Sequence, residues 1–212
     1  RHALCVGQIG HGSVFVAFAG ENVDGHQYVG DAFDRGAIAA LVEHAPGQMW
    51  PVVDARAAGA VLPGSLPVVI QVGSTLQALQ AISRAWRARF AVRVVGITGS
   101  VGKTSTKELT ASVLARRYNT LKSPGNQNNE IGVPLTLLNL RPEHDRAVIE
   151  MGMYAQGEID TLCDLAKPHI GVVTMIGPVH LERLGSMEAI VAAKRELVMS
   201  LPADGTAVLN KD

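Results

Sequence analysis

The pattern of hydrophobic and polar residues divides the sequence into two segments. Over the first 70 or so residues, short apolar runs such as residues 14–18 alternate with glycine-rich turns, and residues 32–42 predict a short helix followed by a strand. From Ser74 onward, apolar residues recur at helical spacing, which predicts a longer helix leading into the next domain. We therefore predict two domains, residues 1–90 and residues 91–212.

The second segment alternates strand-like apolar runs with helical stretches, which predicts a parallel sheet covered by helices on both faces. The predicted strands are residues 94–98, 147–149, 170–175 and 206–209. The fold class is therefore α/β, with a small N-terminal α/β domain followed by a larger parallel-sheet domain. Ligands of such sheets bind beyond the carboxyl ends of the strands. The polar residues expected there are residues 99–104, Glu150, the segment ending at His180, and Asn210.

Composition excludes several classes of protein. Lys plus Arg and Asp plus Glu each number 19, so no net charge recruits nucleic acid or an acidic membrane surface. Cys5 and Cys163 lack CxxC spacing, which argues against a disulfide framework or a zinc cluster. No apolar run is long enough for a membrane span. We expect a cytoplasmic protein without membrane insertion.

A glycine loop stands between the first predicted strand of the second domain and a helix. Its glycines free backbone N–H groups for phosphate oxygens, Lys103 adds a positive charge, and the Thr104 hydroxyl can reach Mg²⁺. The G-x-x-x-x-G-K-[ST] pattern is incomplete, because Ile97 occupies the first glycine position. The pattern indicates a nucleoside triphosphate site, and the alternative is a glycine-rich turn with a surface lysine.

Two further residues of the second domain are candidates for a metal site. Glu150 ends an apolar strand, where a carboxylate can bind Mg²⁺ directly or through water, although it could also be a helix cap or a solvated side chain. Lys194 falls within an apolar helical stripe that includes Ile190 and Leu197. A buried lysine is unusual and favours its neutral amine, which can react with CO₂, whereas a lysine at the edge of the core would extend to solvent.

Three other polar groups have a structural and a functional interpretation. The asparagines of residues 126–129 are typical of caps and turns before a helix. Asp24-Gly25-His26 is typical of a tight turn. His180 in a loop is, on its own, more often structural than a ligand.

The segment Thr98-Gly99-Ser100-Val101-Gly102-Lys103-Thr104-Ser105 resembles the T-G-x-x-G-K-[ST] loop of the Mur ligases and their relatives. Other segments resemble further motifs of that family, in family order, from about residue 12 to residue 212. They are residues 20–26, 124–134, 150–159, 176–182 and 193–197. The resemblance implies an N-terminal domain that binds a UDP-linked substrate and a partial central domain that binds ATP.

The resemblance also implies roles for individual residues. The implied nucleotide-binding residues are Gly99, Ser100, Val101, Gly102, Lys103, Thr104, Ser105 and Asn210. The implied ligands of two Mg²⁺ ions are Thr104, Glu150, His180 and a carbamylated Lys194. The implied substrate contacts are Asp24, His26, Asn126, Asn128 and Asn129, and the implied catalytic residues are Lys103, Lys194 and His180.

The Mur ligases whose motifs these segments resemble most join D-alanyl-D-alanine to a UDP-N-acetylmuramoyl-tripeptide, using ATP and an acyl-phosphate intermediate. Glu150-Met151-Gly152 followed by Gly157-Glu158-Ile159 favours this reaction over that of the members that add a single amino acid. A non-catalytic nucleotide-binding fragment is the other alternative, whereas motifs of a P-loop regulatory switch are not found. We expect a monomer, and the sequence leaves open whether the third residue of the tripeptide is diaminopimelate or lysine.

Both ends of the sequence depart from the family pattern. Cys5-Val6-Gly7 stands where the family usually has an acidic residue, Ser or Thr, and Arg, so the resemblance does not predict how uridine diphosphate is held. A Mur ligase continues well beyond the strand that ends before Asn210. We therefore expect the chain to be a fragment that lacks the rest of the central domain and a C-terminal domain.

Overall fold

The computed structural model describes residues 9–20, 23–47, 49–178 and 185–211. The chain forms two compact units, Arg1–Leu79 and Gln80–Asp212. The division falls inside helix α2, Thr75–Arg87, which is the longer helix predicted to lead into the second domain. Within the described ranges, no helix is long and apolar enough to cross a bilayer.

The first unit is a small parallel sheet with a short helix packed on it. Its elements are β1 Val14–Val16, α1 Val29–Asp34, β2 Ala39–Val42, β3 Val52–Asp54 and β4 Val68–Gln71, with a 3-10 turn at Gly25–Tyr28. The described strands pair in the order β1-β2-β4-β3, all parallel. Phe15, Ala40 and Val69 pack with Val29 and Ala32 of α1 in the core. Strand β2 is buried throughout, which explains its unbroken apolar sequence.

The second unit is a larger parallel sheet. Its elements are β5 Arg93–Thr98, α3 Lys103–Leu114, β6 Thr120–Lys122, α4 Gly132–Leu137, β7 Arg146–Glu150, α5 Glu158–Ala166, β8 Ile170–Val173, α6 Met187–Met199 and β9 Thr206–Leu209. The described strands pair in the order β6-β7-β5-β8-β9, all parallel. Strand β5 is therefore central, and the segment after it lies at the middle of the carboxyl edge.

Alternate residues of the central strands face opposite layers of helices. Val94 and Ile149 belong to an apolar cluster with residues of α4, α5 and α6. Val95, Ile97 and Val148 pack with Ala111 of α3 on the other face. The predicted α/β fold, a parallel sheet with helices on both faces, is confirmed.

Two glycines allow α6 to lie close to the sheet. A Cβ atom added to Gly96 of β5 would lie 3.0 Å from Leu197 Cδ1, and one added to Gly171 of β8 would lie 3.1 Å from Leu197 Cγ. Leu197 of α6 therefore rests directly on β5 and β8. This close packing places Lys194, about one helical turn before Leu197, near the carboxyl edge of the sheet.

Candidate nucleotide and metal site

The glycine loop requires its two glycines for different reasons. Gly99 has a φ of 149°, and a Cβ atom there would lie 2.0 Å from Thr174 Oγ1. Gly102 has a φ of 86° and is the N-cap of α3. A side chain at Gly99 would clash with the segment after β8, and a side chain at Gly102 would strain the backbone. The loop can follow this path only with glycine at both positions.

The segment after β8 holds the loop in place. The Ser100 backbone N–H donates to Met175 O at 2.8 Å, and the Ser100 hydroxyl donates to Gly177 O at 3.0 Å. The Thr174 hydroxyl donates to Val101 O at 2.6 Å. Because these bonds use the side of the loop that faces β8, the loop is preorganised without its whole backbone being occupied.

Lys103 begins α3 and bends back over the loop. Its Nζ donates to Gly99 O at 2.7 Å, and its side chain is half-buried. Thr104 and Ser105 follow in the first turn of α3 and are exposed. The predicted strand, glycine loop and helix are therefore found in sequence, with the lysine and the hydroxyls at the positive end of the helix dipole.

Glu150 is the buried carboxylate of this edge. Only 1% of its surface is exposed at the end of β7. Its Oε1 accepts from Asn128 Nδ2 at 2.8 Å, whereas its Oε2 has no hydrogen-bond partner among the described residues. A buried carboxylate oxygen without a hydrogen bond is costly unless a cation compensates it. Glu150 therefore fits a hard cation that takes oxygen ligands, such as Mg²⁺.

Lys107 lies beside Glu150 and was not among the predicted site residues. Its side chain is fully buried, and its Nζ lies 3.5 Å from Glu150 Oε2. The sequence offered a signal that was missed, because Lys107, Ala111 and Leu114 share one helical face. Leu109 and Val113 of the same helix, although apolar, are exposed to solvent.

Lys194 is buried as predicted, with 2% of its surface exposed. Burial, together with the positive charge of Lys103, lowers the pKa of Lys194 from 10.5 to about 8. A substantial fraction of its amine is therefore neutral near physiological pH, which is the form that reacts with CO₂.

A small cavity of about 90 Å³ brings together residues from four of the predicted motifs, residues 98–105, 124–134, 150–159 and 193–197. Its lining includes Gly99 and Lys103 of the glycine loop, Asn128 and Asn129 of the asparagine-rich segment, and Lys194 of α6. The structure adds four lining residues that sequence reasoning did not assign to the site, Gly152, Met153, Tyr154 and Glu158.

The three predicted asparagines have different surroundings. Asn128 binds Glu150, as described above, and Asn129 Oδ1 accepts from the Gly132 backbone N–H at 2.8 Å at the start of α4. Asn126 is exposed. Asn129 thus has the capping role that composition favours, and it also lines the cavity. Substrate contact by these residues stays a prediction.

In the first unit, Asp24 and His26 form a closed arrangement. His26 is 4% exposed, its Nδ1 lies 2.6 Å from Asp24 Oδ1, and its Nε2 accepts from the Glu43 backbone N–H at 2.9 Å. Since Nε2 accepts, Nδ1 carries the proton and donates to Asp24. The His26 backbone N–H, followed by its ring, lowers the pKa of Asp24.

This hydrogen bonding also bears on a metal site. His44 stacks on His26 at 3.9 Å between ring centroids, and Asp24, His26 and His44 each have a possible ligand atom within 4.8 Å of the others. A neutral imidazole has only one lone pair for a metal, and His26 uses it to accept from Glu43. The cluster therefore does not fit a metal ion, and substrate contact by Asp24 and His26 stays a prediction.

Some predicted residues cannot be compared with the structure or lie apart from the cavity. His180 and Cys5-Val6-Gly7 lie outside the described residues. Asn210 directly follows β9 at the same carboxyl edge and is exposed. Cys163 is a buried free thiol whose pKa is raised by burial to about 12, so it is unreactive.

A second cavity, of about 510 Å³, lies at the opposite edge of the sheet. It is lined by residues near the start of β5 and β7, among them Phe90, Ala91, Asp145 and Arg146. Ligands of parallel sheets bind at the carboxyl edge. Although it is larger, this cavity is therefore not the candidate nucleotide site.

A glycine loop and lysine after the central strand, with a buried carboxylate on the neighbouring strand, are typical of nucleotide-binding α/β proteins. Residues 97–212 match the family model of the Mur ligase middle domain, and residues 7–87 match the Mur ligase family, catalytic domain. The chain belongs to the Mur ligase family.

Known relatives indicate a particular branch of that family. The UDP-N-acetylmuramoyl-tripeptide–D-alanyl-D-alanine ligase of Synechocystis sp. is 45% identical over 95% of this chain and 41% of its own length. MurF from Acinetobacter baumannii has a TM-score of 0.82 and 33% identity, over 98% of this chain and 42% of its own. MurF ligase from Thermotoga maritima, in complex with ADP, has a TM-score of 0.82 and 32% identity, over 99% and 45%. The chain spans less than half the length of these relatives.

Proposed function

We propose that this chain provides the substrate-binding and ATP-binding parts of a ligase that joins UDP-N-acetylmuramoyl-tripeptide to D-alanyl-D-alanine. The observation that carries the proposal is the cavity that Lys103, Asn128 and Lys194 line together, beside buried Glu150. The names of the curated relatives support the proposal, because each describes a ligase for these two substrates. Residues 1–90 would bind the UDP-linked substrate and residues 91–212 would bind ATP.

The phosphate loop would position ATP. Backbone N–H groups of residues 99 and 101–105, the start of α3 and the Lys103 ammonium would stabilise the γ-phosphate as negative charge develops on it. Asn210, at the same edge, would contact the nucleotide. These groups need little rearrangement, because Ser100 and Thr174 already hold the loop.

The proposed reaction has two steps. The terminal carboxylate of the tripeptide attacks the γ-phosphorus of ATP, the bond to the β-phosphate oxygen breaks, and ADP leaves. The amine of D-alanyl-D-alanine then attacks the acyl carbon, the acyl C–O bond breaks so that phosphate leaves, and the nitrogen releases a proton to solvent as the amide forms. Asn126, Asn128 and Asn129, with Asp24 and His26 of the first unit, are the proposed substrate contacts. The chain would act as a monomer in the cytoplasm, where ATP is available.

Magnesium would offset the charge of the two anions that must approach each other. Thr104, Glu150, a carbamylated Lys194 and His180 are the proposed ligands of two ions. The Oε2 atom of Glu150, which has no hydrogen bond from the described residues, fits this role. Lys194 and His180 would be catalytic through these ions.

Carbamylation of Lys194 is the least usual part of the proposal. The neutral amine attacks CO₂, a C–N bond forms and a proton is released, so that a cation becomes a carboxylate-like anion. In a ligase of the relatives' length that carries this sequence, Lys194→Ala should be nearly inactive and should regain turnover with added formate or acetate, because the missing group is an anion near a metal. Full turnover of Lys194→Met without these ions would remove Lys194 from the site.

The function itself is tested by ADP release from a ligase of that length. Release should require both UDP-N-acetylmuramoyl-tripeptide and D-alanyl-D-alanine, and it should yield the pentapeptide product. Release that a single amino acid supports equally well would indicate a single-amino-acid-adding ligase. Nucleotide binding without release under any of these conditions would indicate a non-catalytic module.

A further inference from the structure

Lys107 is a buried lysine beside Glu150 of the candidate site, and the proposed mechanism does not use it. It lies one turn after Lys103 on α3, and its side chain is fully buried. Lysines are almost never fully buried unless their charge is paired. The partners of Lys107 should therefore show why the fold retains it.

The Lys107 ammonium contacts three groups from different parts of the second unit. It donates to Gly125 O at 2.7 Å, and it lies 3.3 Å from Glu108 Oε1 and 3.5 Å from Glu150 Oε2. Gly125 begins the asparagine loop, which we define as residues 125–131. Lys107 thus links helix α3, the asparagine loop and the end of β7.

Asn128 closes these contacts into a ring. Lys107 contacts the asparagine loop at Gly125, Asn128 of the same loop donates to Glu150 Oε1 at 2.8 Å, and Glu150 Oε2 faces Lys107. The Asn128 carbonyl also accepts from the Gly152 backbone N–H at 2.8 Å. A change at Lys107 should therefore affect both the loop and the carboxylate.

The Lys107 ammonium interacts differently with Gly125 and with Glu150, as the two distances show. The 2.7 Å bond to Gly125 O is of charge-assisted length, whereas 3.5 Å to Glu150 Oε2 is longer than such a bond. Lys107 therefore supplies a countercharge to Glu150 while its hydrogen bond goes to the loop. This arrangement leaves the lone pairs of Oε2 available to another cation.

The other partner, Glu108, explains little of the burial. Its side chain is 44% exposed and also pairs with Lys122, whose side chain is 45% exposed. Exposed ion pairs contribute little to stability, whereas removing one partner of a buried pair leaves an uncompensated charge. Glu150, with a 2% exposed side chain, is the partner that depends on Lys107.

We propose that Lys107 is a positioning residue that holds the Glu150 carboxylate in place, and the asparagine loop against it, ready for a divalent cation. The inference rests on the proposed function, because it takes Glu150 as a ligand of that cation. Without Lys107, the buried carboxylate would lose its countercharge and the loop its anchor at Gly125. Glu150 Oε2 would then no longer be presented to a metal.

The test measures binding of Mn²⁺ to this 212-residue chain by electron paramagnetic resonance, without nucleotide. Lys107→Met removes the ammonium but keeps an unbranched apolar side chain. Lys122→Met is the matched control, since it removes the other lysine that contacts Glu108. Glu150→Gln is the reference for the loss of the metal ligand itself. Circular dichroism establishes that each variant is folded.

We expect Lys107→Met to weaken Mn²⁺ binding at least ~5-fold, because breaking a buried ion pair disturbs its partner strongly. Lys122→Met should stay within ~2-fold of the unchanged chain. In the Glu150→Gln background, Lys107→Met should cause no further loss. Hydrogen exchange of the asparagine loop in the metal-free chain should be faster in Lys107→Met and unchanged in Lys122→Met.

The outcomes separate this inference from the proposed function. If Glu150→Gln weakens binding and folded Lys107→Met weakens it less than ~5-fold, the positioning role is wrong and the metal role of Glu150 stands. If Glu150→Gln leaves binding unchanged, the metal role of Glu150 fails, and the inference fails with it. If Lys107→Met does not fold, Lys107→Gln, which keeps a donor for Gly125 O, is judged by the same ~5-fold criterion.

Discussion

His26 in the first unit and Glu150 in the second are both buried polar residues within motifs that the sequence makes conspicuous. Both ring nitrogens of His26 have partners, Asp24 on one side and the Glu43 backbone on the other. Glu150 has a partner on Oε1 and no hydrogen bond on Oε2 within the part of the chain that the structure describes. The two motifs are equally easy to recognise in the sequence, but their buried side chains differ. The hydrogen bonds of His26 are complete, whereas Glu150 Oε2 accepts none from the described residues.

This difference separates a group that holds the fold from a group that can bind a cation. A buried imidazole whose two nitrogens are both hydrogen-bonded stabilises the structure and has no lone pair left for a metal ion. A buried carboxylate oxygen beside a lysine but without a hydrogen bond is costly, and a bound cation can relieve that cost. We therefore expect changes at His26 to lower stability and changes around Glu150 to lower ligand binding.

The largest effect is expected at the phosphate loop. Lys103→Ala, in a ligase of the relatives' length that carries this sequence, should lower kcat at least ~10²-fold, because it removes a preorganised charge from the transition state. The melting temperature should change little, since the Lys103 side chain is half-buried and bonds only its own loop among the described contacts. Lys122→Ala is the control. Near-normal turnover of Lys103→Ala would show that the glycine loop is a structural turn with a surface lysine and has no role in catalysis.

At His26 the comparison predicts the opposite behaviour. His26→Phe should lower the free energy of unfolding by about 2–4 kcal/mol, since it leaves the Glu43 N–H without an acceptor and removes the bond to Asp24. Urea denaturation measures this loss. His44→Phe is the control, because the His44 side chain is 64% exposed and its replacement should cost less than about 0.5 kcal/mol. Unchanged stability of His26→Phe would remove the structural role.

The stability of the folded chain should depend on pH through Lys194. Its folded pKa of about 8 lies below the usual 10.5, so between these values the unfolded chain holds more protons. The free energy of unfolding should therefore rise with pH between about pH 8 and pH 10.5. Below about pH 8, the full cost of burying the charged Lys194 ammonium is present. The charged groups facing Lys194 in its cavity are Lys103 and Glu158.

Lys194→Met removes the titrating group and tests this window. The melting temperature of the metal-free unchanged chain, minus that of the variant, should increase from pH 7.5 to pH 10. Titration of other groups cancels in this difference. A difference that stays constant or falls with pH would show that Lys194 titrates normally.

The smallest effect is expected at Asn129, where a structural and a binding role overlap. Asn129→Ala should lower the free energy of unfolding by about 1 kcal/mol, because it removes an acceptor at the start of α4. Asn126→Ala is the matched control in the same loop, since Asn126 is exposed and should have no measurable effect on stability. Equal stability of both variants would show that the cap contributes nothing.

Much of the fold could be predicted from the sequence, because the central strands β5 and β7 are buried on both faces and largely apolar, and apolar runs alternate with helical stretches along the chain. The predicted strand of residues 206–209 matches β9, and residues 94–98 match β5 apart from one additional residue at its start. The strand predicted to reach residue 175 ends at Val173. Residues 174–175 instead bond the glycine loop, a tertiary contact that apolar patterning does not contain.

The site was predicted in part. The glycine loop and buried Lys194 followed from spacing, because loop shape and helical periodicity are local properties. Lys107 was missed because its polarity suggested solvent, although its position on the face of Ala111 did not. The bond between Asn128 and Glu150 joins residues of two separate segments, so only the fold reveals it.

The most direct test of the account is the affinity of the 212-residue chain for ADP with and without Mn²⁺, measured by calorimetry for the unchanged chain, Glu150→Gln and His26→Phe. We expect Mn²⁺ to tighten ADP binding in the unchanged chain and in folded His26→Phe. In Glu150→Gln this metal-dependent gain should fall at least ~10-fold without loss of the fold. An equal gain in Glu150→Gln and the unchanged chain would contradict the assignment of the carboxyl edge around Glu150 as the metal and nucleotide site.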